Sequence, residues 1–196
     1  MADFNIAYNI TMMNEGGYSL DPDDAGGETY KGISRRYNPT WSGWERIDIF
    51  KGLPDFPKNL EGKNSIQDAV KIFYKQIYWD RFLGDNIDKQ NVAMEMFDTS
   101  VNMGVSKACI FLQQALNLLN RNGSLFNDMI EDGFMGNITI NTLNEYCKKE
   151  TDIYLLKIMN ILQGMHYINY MKKSPIQEKY ARGWLERVEI KDRRNI

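Results

Sequence analysis

Apolar residues recur at helical spacing through most of this chain, and the long exception, residues 18–63, follows directly on a pair of glycines. Residues 3–14 set Phe4, Ala7, Tyr8 and Thr11, with Ile6, Ile10 and Met13, on one broad helical face. Glu15-Gly16-Gly17 then reads as the helix stop. Residues 18–63 hold Pro22, Pro39, Pro54 and Pro57, four of the five prolines, and read as loop with a short β-hairpin or single helical turns. After Asn64, Ser65-Ile66-Gln67-Asp68 reads as a capping box, and Ala69, Val70, Phe73 and Ile77 carry an apolar stripe to about Trp79. Further helices are expected over 91–103, ended by Gly104, and over 106–119, 138–149 and 151–172, and Pro175 opens a last one reaching Val188. No repeat or Gly/Ser-rich linker interrupts this order, so the expectation is a mostly α fold whose parts pack as one compact body.

Composition limits the chemistry. The 196 residues carry 24 Lys plus Arg against 26 Asp plus Glu, a net charge of −2, which argues against a nucleic-acid partner. Cys109 and Cys147 stand in no metal-ligand spacing and read as small buried hydrophobes. The single histidine, His166, cannot build a histidine metal centre, and no cofactor is expected. No apolar run is long enough to span a membrane, and the start lacks the pattern of a signal peptide. Synthesis in the cytoplasm is therefore expected. The available chemistry rests on carboxylates.

Five acids, Glu15, Asp21, Asp23, Asp24 and Glu28, crowd into 15–28 with no base among them. Like charges this close raise one another's pKa. As a calcium loop the stretch fails, because Ala25 and Gly32 fall where ligands are required. A solvated acidic turn is the plain alternative for Asp21 and Asp23. Glu15 differs from the others. It closes an amphipathic helix, where the negative end of the helix dipole disfavours its charge by about 0.3–1 kcal/mol. Neighbouring apolar surface pushes the same way. A carboxyl group that keeps its proton near neutral pH is what glycoside hydrolysis asks of a general acid.

Glu15-Gly16-Gly17-Tyr18, then Asp21-Pro22-Asp23-Asp24-Ala25-Gly26-Gly27-Glu28-Thr29, then Gly32-Ile33, resembles the signature of the glycoside hydrolase family 108 N-acetylmuramidases, which include phage endolysins and secretion activators. Tyr78-Trp79 and the run from Phe97 through Asp98 and Asn102 to Gly104 are similar to later motifs of that family. Asp132-Gly133-Phe134-Met135-Gly136-Asn137-Ile138-Thr139, and Gly183-Trp184 through Val188, resemble the predicted peptidoglycan-binding segment that follows it. Ala25 and Asn137 depart from the family pattern at loop positions. The resemblance implies a lysozyme-like catalytic segment over 1–104 and a helical wall-binding segment over 105–196.

It also implies roles. Glu15 protonates the glycosidic oxygen between N-acetylmuramic acid and N-acetylglucosamine. Glu15 and Asp24 keep the Glu-x8-Asp spacing of phage lysozymes, and Thr29 follows after four residues instead of five. Asp24 would stabilise the oxocarbenium charge or activate a water that Thr29 holds. Tyr30, Trp41, Trp44, Tyr78 and Trp79 are candidate sugar platforms, since flat rings cover apolar sugar faces. Core packing explains the same rings, the more so for Tyr78 and Trp79 among helical, apolar neighbours. Asn102, four residues after Asp98, suits a substrate hydrogen bond or a polar tie. The partner implied is the peptidoglycan glycan strand, reached through an export partner such as a holin or a secretion system. A wall-binding protein that has lost turnover, and a lytic transglycosylase, are the alternatives to a hydrolase.

Overall fold

The structure is a computed structural model and describes residues 1–13, 16–20 and 27–188. It is mostly helical, with one small antiparallel sheet, as expected. The chain divides into two compact units, Asp3–Arg81 and Met1–Ala2 with Phe82–Ile196. The resemblance instead puts its segment boundary at 104.

In the first unit, α1 (Phe4–Met12) is capped by Asp3, whose carboxylate accepts from Asn5 N at 2.7 Å. Its face is narrower than the sequence suggests. Phe4, Ala7, Thr11 and Met12 are buried, whereas Ile6, Ile10 and Met13 are exposed. The sheet runs β1 (Tyr18–Leu20), β2 (Glu28–Tyr30), β3 (Ile33–Ser34), paired in that order. A two-residue loop joins β2 to β3. Lys31 and Gly32 both take positive φ, the geometry whose twist matches a tight hairpin.

A helix absent from the sequence reading, α2 (Gly43–Lys51), lies inside the stretch expected to be loop. Only Gly43, Trp44 and Ile47 of its nine residues are buried, too weak a stripe to show as periodicity. α3 (Asn64–Tyr74) begins two residues earlier than a cap at Ser65 implies. Lys63 is its N-cap, with no side-chain cap, so Ser65 lies in the first turn and is not a capping residue. Of the expected stripe Ala69 and Val70 are buried, joined by Ile66 and Tyr74, whereas Phe73 is half-buried and Ile77 is exposed. A π-helical turn, Lys75–Trp79, continues α3.

In the second unit, α4 (Gln90–Met103) turns directly into α5 (Val105–Leu119) at Gly104, where φ is +87°. α6 (Asn137–Lys149) and α7 (Asp152–Lys173) follow, and α7 packs on α4 and α5. Met96, Phe97, Leu112, Leu116, Leu143 and Leu155 form the core. Residues 120–136 are tied down by amides from α5. Gln113 donates to Asp132 Oδ1 at 2.8 Å and accepts from Gly133 N at 2.9 Å, and Asn117 grips Met129 by both backbone groups. Pro175 opens a 3-10 turn, Pro175–Tyr180, followed by the short α8 (Ala181–Leu185), where one continuous helix was expected. No residue of either piece is buried. Trp184 stacks on Tyr167 at 5.2 Å, and Arg187 pairs with Asp98 at 2.8 Å.

Candidate active site

The hairpin and α3 build one wall of the candidate site. Tyr74 Oη donates to Lys31 O at 2.8 Å, and Gln67 Nε2 donates to Tyr30 Oη at 2.8 Å. These two bonds pin the hairpin loop and β2 to one side of α3. Pairing puts Ser19, Thr29 and Ser34 side by side across the three strands, a row of hydroxyls on one sheet face. Tyr18, Tyr30 and Ile33 share the opposite face.

Glu28, next to Thr29, is held by two cations. Its carboxylate lies 3.1 Å from Arg35 and 2.7 Å from Lys51. Both cations also reach Asp48 on α2, at 2.6 and 3.0 Å. The hydrogen-bonded Arg35 guanidinium holds the Asp48 carboxyl well below the usual carboxylate range. Arg35 also lies over the Trp44 ring, 5.3 Å from its centroid. This network fixes β2 to α2 and uses the charge of Glu28 for structure.

A cavity of about 510 Å³ begins at Gly16, Gly17 and Tyr18 and runs past Tyr30, Lys31 and Gln67. Chain neighbours aside, a Cβ placed at Gly16 or Gly17 meets no atom within 4 Å among the described residues, so the backbone there leaves room for a bulky polymer. Glu15 and Asp24 lie outside the described residues, as do Asp21 and Asp23. Of the five clustered acids, Glu28 alone is described.

The expected sugar platforms separate. Tyr30 reaches this cavity although it is nearly enclosed. Trp44 and Trp79 are fully enclosed and offer no open ring face; the Trp44 indole N–H is spent on Asn38 O at 2.8 Å. Tyr78 is half-buried among Phe73 and Tyr74. Trp41 lines a different cavity. Asn102, in the second unit, is exposed and donates back to Asp98 O at 2.8 Å, the local tie its spacing allows.

Burial pushes the Cys109 thiol up to about 12 and the Cys147 thiol up to about 11. His166 stacks beside Tyr170, and burial together with Lys107 and Lys173 lowers its pKa. Among the described residues no group of three or more His, Cys, Asp or Glu side chains can hold a metal, and no helix is long and apolar enough to cross a membrane.

Comparison with known proteins follows the same two-part order. Residues 8–104 match the family described as Glycosyl hydrolase 108, and residues 107–189 match the Predicted Peptidoglycan domain. No curated protein matches the chain. Among solved structures, that of Brucella abortus SagA is similar over 94% of this chain and 88% of its own, with a TM-score of 0.58 at 19% identity, a likeness of fold. The matched regions support a peptidoglycan hydrolase. The chain belongs to the glycosyl hydrolase 108 family and carries the predicted peptidoglycan domain after that region.

Proposed function

We propose that the chain is an N-acetylmuramidase, hydrolysing the β-1,4 bond between N-acetylmuramic acid and N-acetylglucosamine with Glu15 as general acid. One observation carries this reading most directly. Gly16, Gly17 and Tyr18 of the family-matched Glu-Gly-Gly-Tyr block line a cavity of about 510 Å³. Within its acidic cluster, Glu28 is committed to Arg35 and Lys51, so the proton transfer falls to an acid outside that network.

Glu15 gives its proton to the leaving oxygen as the glycosidic bond breaks. Asp24 faces the positive charge that develops on the sugar, or takes a proton from the incoming water. Thr29, in the hydroxyl row with Ser19 and Ser34, holds that water. Water supplies the hydroxyl to the new reducing end and the proton that restores Glu15. A carboxyl separation near 6.5–9.5 Å would give inversion and one near 5–5.5 Å retention. Residues 105–196 hold the enzyme on the glycan. The protein is made in the cytoplasm and reaches the wall through a holin or a secretion system.

Mass spectrometry of purified peptidoglycan after digestion tests the reaction. Ordinary reducing N-acetylmuramic ends support hydrolysis. Terminal 1,6-anhydro ends make the protein a lytic transglycosylase instead, and absence of products makes it a wall-binding protein.

A further inference from the structure

The cavity that Trp41 lines is larger than the Gly16–Gly17 cavity, at about 640 Å³, well inside the range of about 300–1,000 Å³ typical of ligand sites. It lies on the other side of α3 from the Gly16–Gly17 cavity. Ser65, Asp68 and Ile72 recur at helical spacing along its wall and Gln76 follows them, while Gln67, about 160° round the helix from Ser65 and about 140° from Ile72, faces the hairpin. The two cavities share no lining residue.

Three features mark it as built. Gly43, the first residue of α2, lies so close to Trp41 that a Cβ there would meet indole carbons at 2.3 Å, so the ring position depends on glycine. The Trp41 indole N–H donates to Ala69 O at 3.2 Å, which leaves ring carbon as what Trp41, 9% exposed, offers the groove. Gln76 and Ile77 enter the wall from the π-helical turn Lys75–Trp79, a rare distortion that is frequent at functional sites.

The lining is chemically mixed. Tyr37, 69% exposed, stands at the rim as a ring with a hydroxyl edge. Asn38 and Gln76 bring amides, and Thr40, Ser42 and Ser65 bring hydroxyls. One cation, Arg46, is tethered to Ser65 O and is balanced by one anion, Asp68. A neutral ligand with an apolar ring face and amide-bearing edges fits this set best. We propose that this groove is an ancillary, non-catalytic site for an N-acetylated amino-sugar strand. The site rests on the reading that the chain works on peptidoglycan, and it would hold a stretch of glycan while another stretch is cut.

The test is amide-resolved NMR of the full chain titrated with tri-N-acetylchitotriose at millimolar concentration, alongside wall digestion by the same protein. The expected result is saturable shifts of amides in 37–42 and 65–77. Affinity at those amides should fall about fivefold in Tyr37→Ala, the loss expected for one exposed aromatic platform. Gln76→Ala is a second surface variant with the same expected direction. Shifts confined to Gly16–Tyr18, Tyr30 and Lys31, or no shifts at all, overturn the site even if the wall is digested. Unchanged affinity in both variants also overturns it. Shifts in the groove from a protein that digests no wall sustain the site and defeat the hydrolase reading alone.

Discussion

Replacing Arg35 with methionine removes one charge from the network that fixes the hairpin, together with the guanidinium that lies over Trp44. Arg35 meets Asp48 through two hydrogen bonds, at 2.6 and 2.7 Å, but the Asp48 side chain is 41% exposed. Water and salt screen that pair, so its share is at most about 1 kcal/mol. Glu28 matters more, because its side chain is only 13% exposed and would keep Lys51 alone. A charged hydrogen bond in such a setting contributes about 1.5–3 kcal/mol. Together the loss should be about 2 kcal/mol, or about 4–8 °C in melting temperature for a chain of this length. Thermal unfolding followed by circular dichroism gives the value directly.

The pH dependence has a definite sign. Arg35 depresses the folded-state pKa of Asp48. A depressed carboxylate contributes stability above its unfolded value, near about 3.9, and loses it as pH falls through the folded value. The gap between parent and Arg35→Met should therefore be full at neutral pH and shrink below about pH 4. It should also narrow in about 1 M salt. A gap of the same size at neutral and acid pH, or no gap at neutral pH, refutes the electrostatic account of the hairpin.

Other substitutions test separate parts of the structure. Gly104→Ala should cost about 1–3 kcal/mol, because φ +87°, ψ 150° is a backbone region nearly reserved for glycine while the added Cβ meets nothing; chemical denaturation measures it. Gly133→Ala should cost more, since its Cβ would lie 2.4 Å from Ser106 Oγ and 2.9 Å from Ser106 O on top of a φ of +75°. Trp79→Ala should lower stability by about 3–5 kcal/mol, as a buried core ring does; a variant that melts like the parent but loses glycan affinity would make Trp79 a platform instead. Arg187→Met takes away the cation that draws the Asp98 carboxyl down against its burial. That variant should be destabilised by about 2 kcal/mol at neutral pH and should recover toward the parent as acid protonates Asp98.

Long, strongly patterned helices were legible residue by residue. The stripe through Ala69, Val70 and Phe73 marks α3, and the Asn137–Lys149 and Asp152–Lys173 helices begin and end within a residue of expectation. α2 was not legible, since Trp44 and Ile47 are its only large buried side chains and the rest of it reads as a polar loop. Aromatic type alone could not separate the rings either. Trp41 and Trp44 stand three residues apart and touch edge to face at 5.1 Å, yet Trp44 is enclosed and Trp41 reaches a groove. The signal that could have marked the groove is the glycine two residues after Trp41, the residue whose absent side chain makes room for the indole. The ion network around Glu28 draws on residues 7, 20 and 23 positions further on (Arg35, Asp48 and Lys51), and no local pattern announces such a set. The acidic cluster, by contrast, was visible as charge density, and the family match spans it.

Digestion of purified peptidoglycan by the parent and by Glu15→Gln, each first shown to melt at the same temperature, tests the central claim most directly. The account predicts new reducing muramic ends from the parent and none above background from Glu15→Gln. Equal release of those ends by both proteins would contradict it.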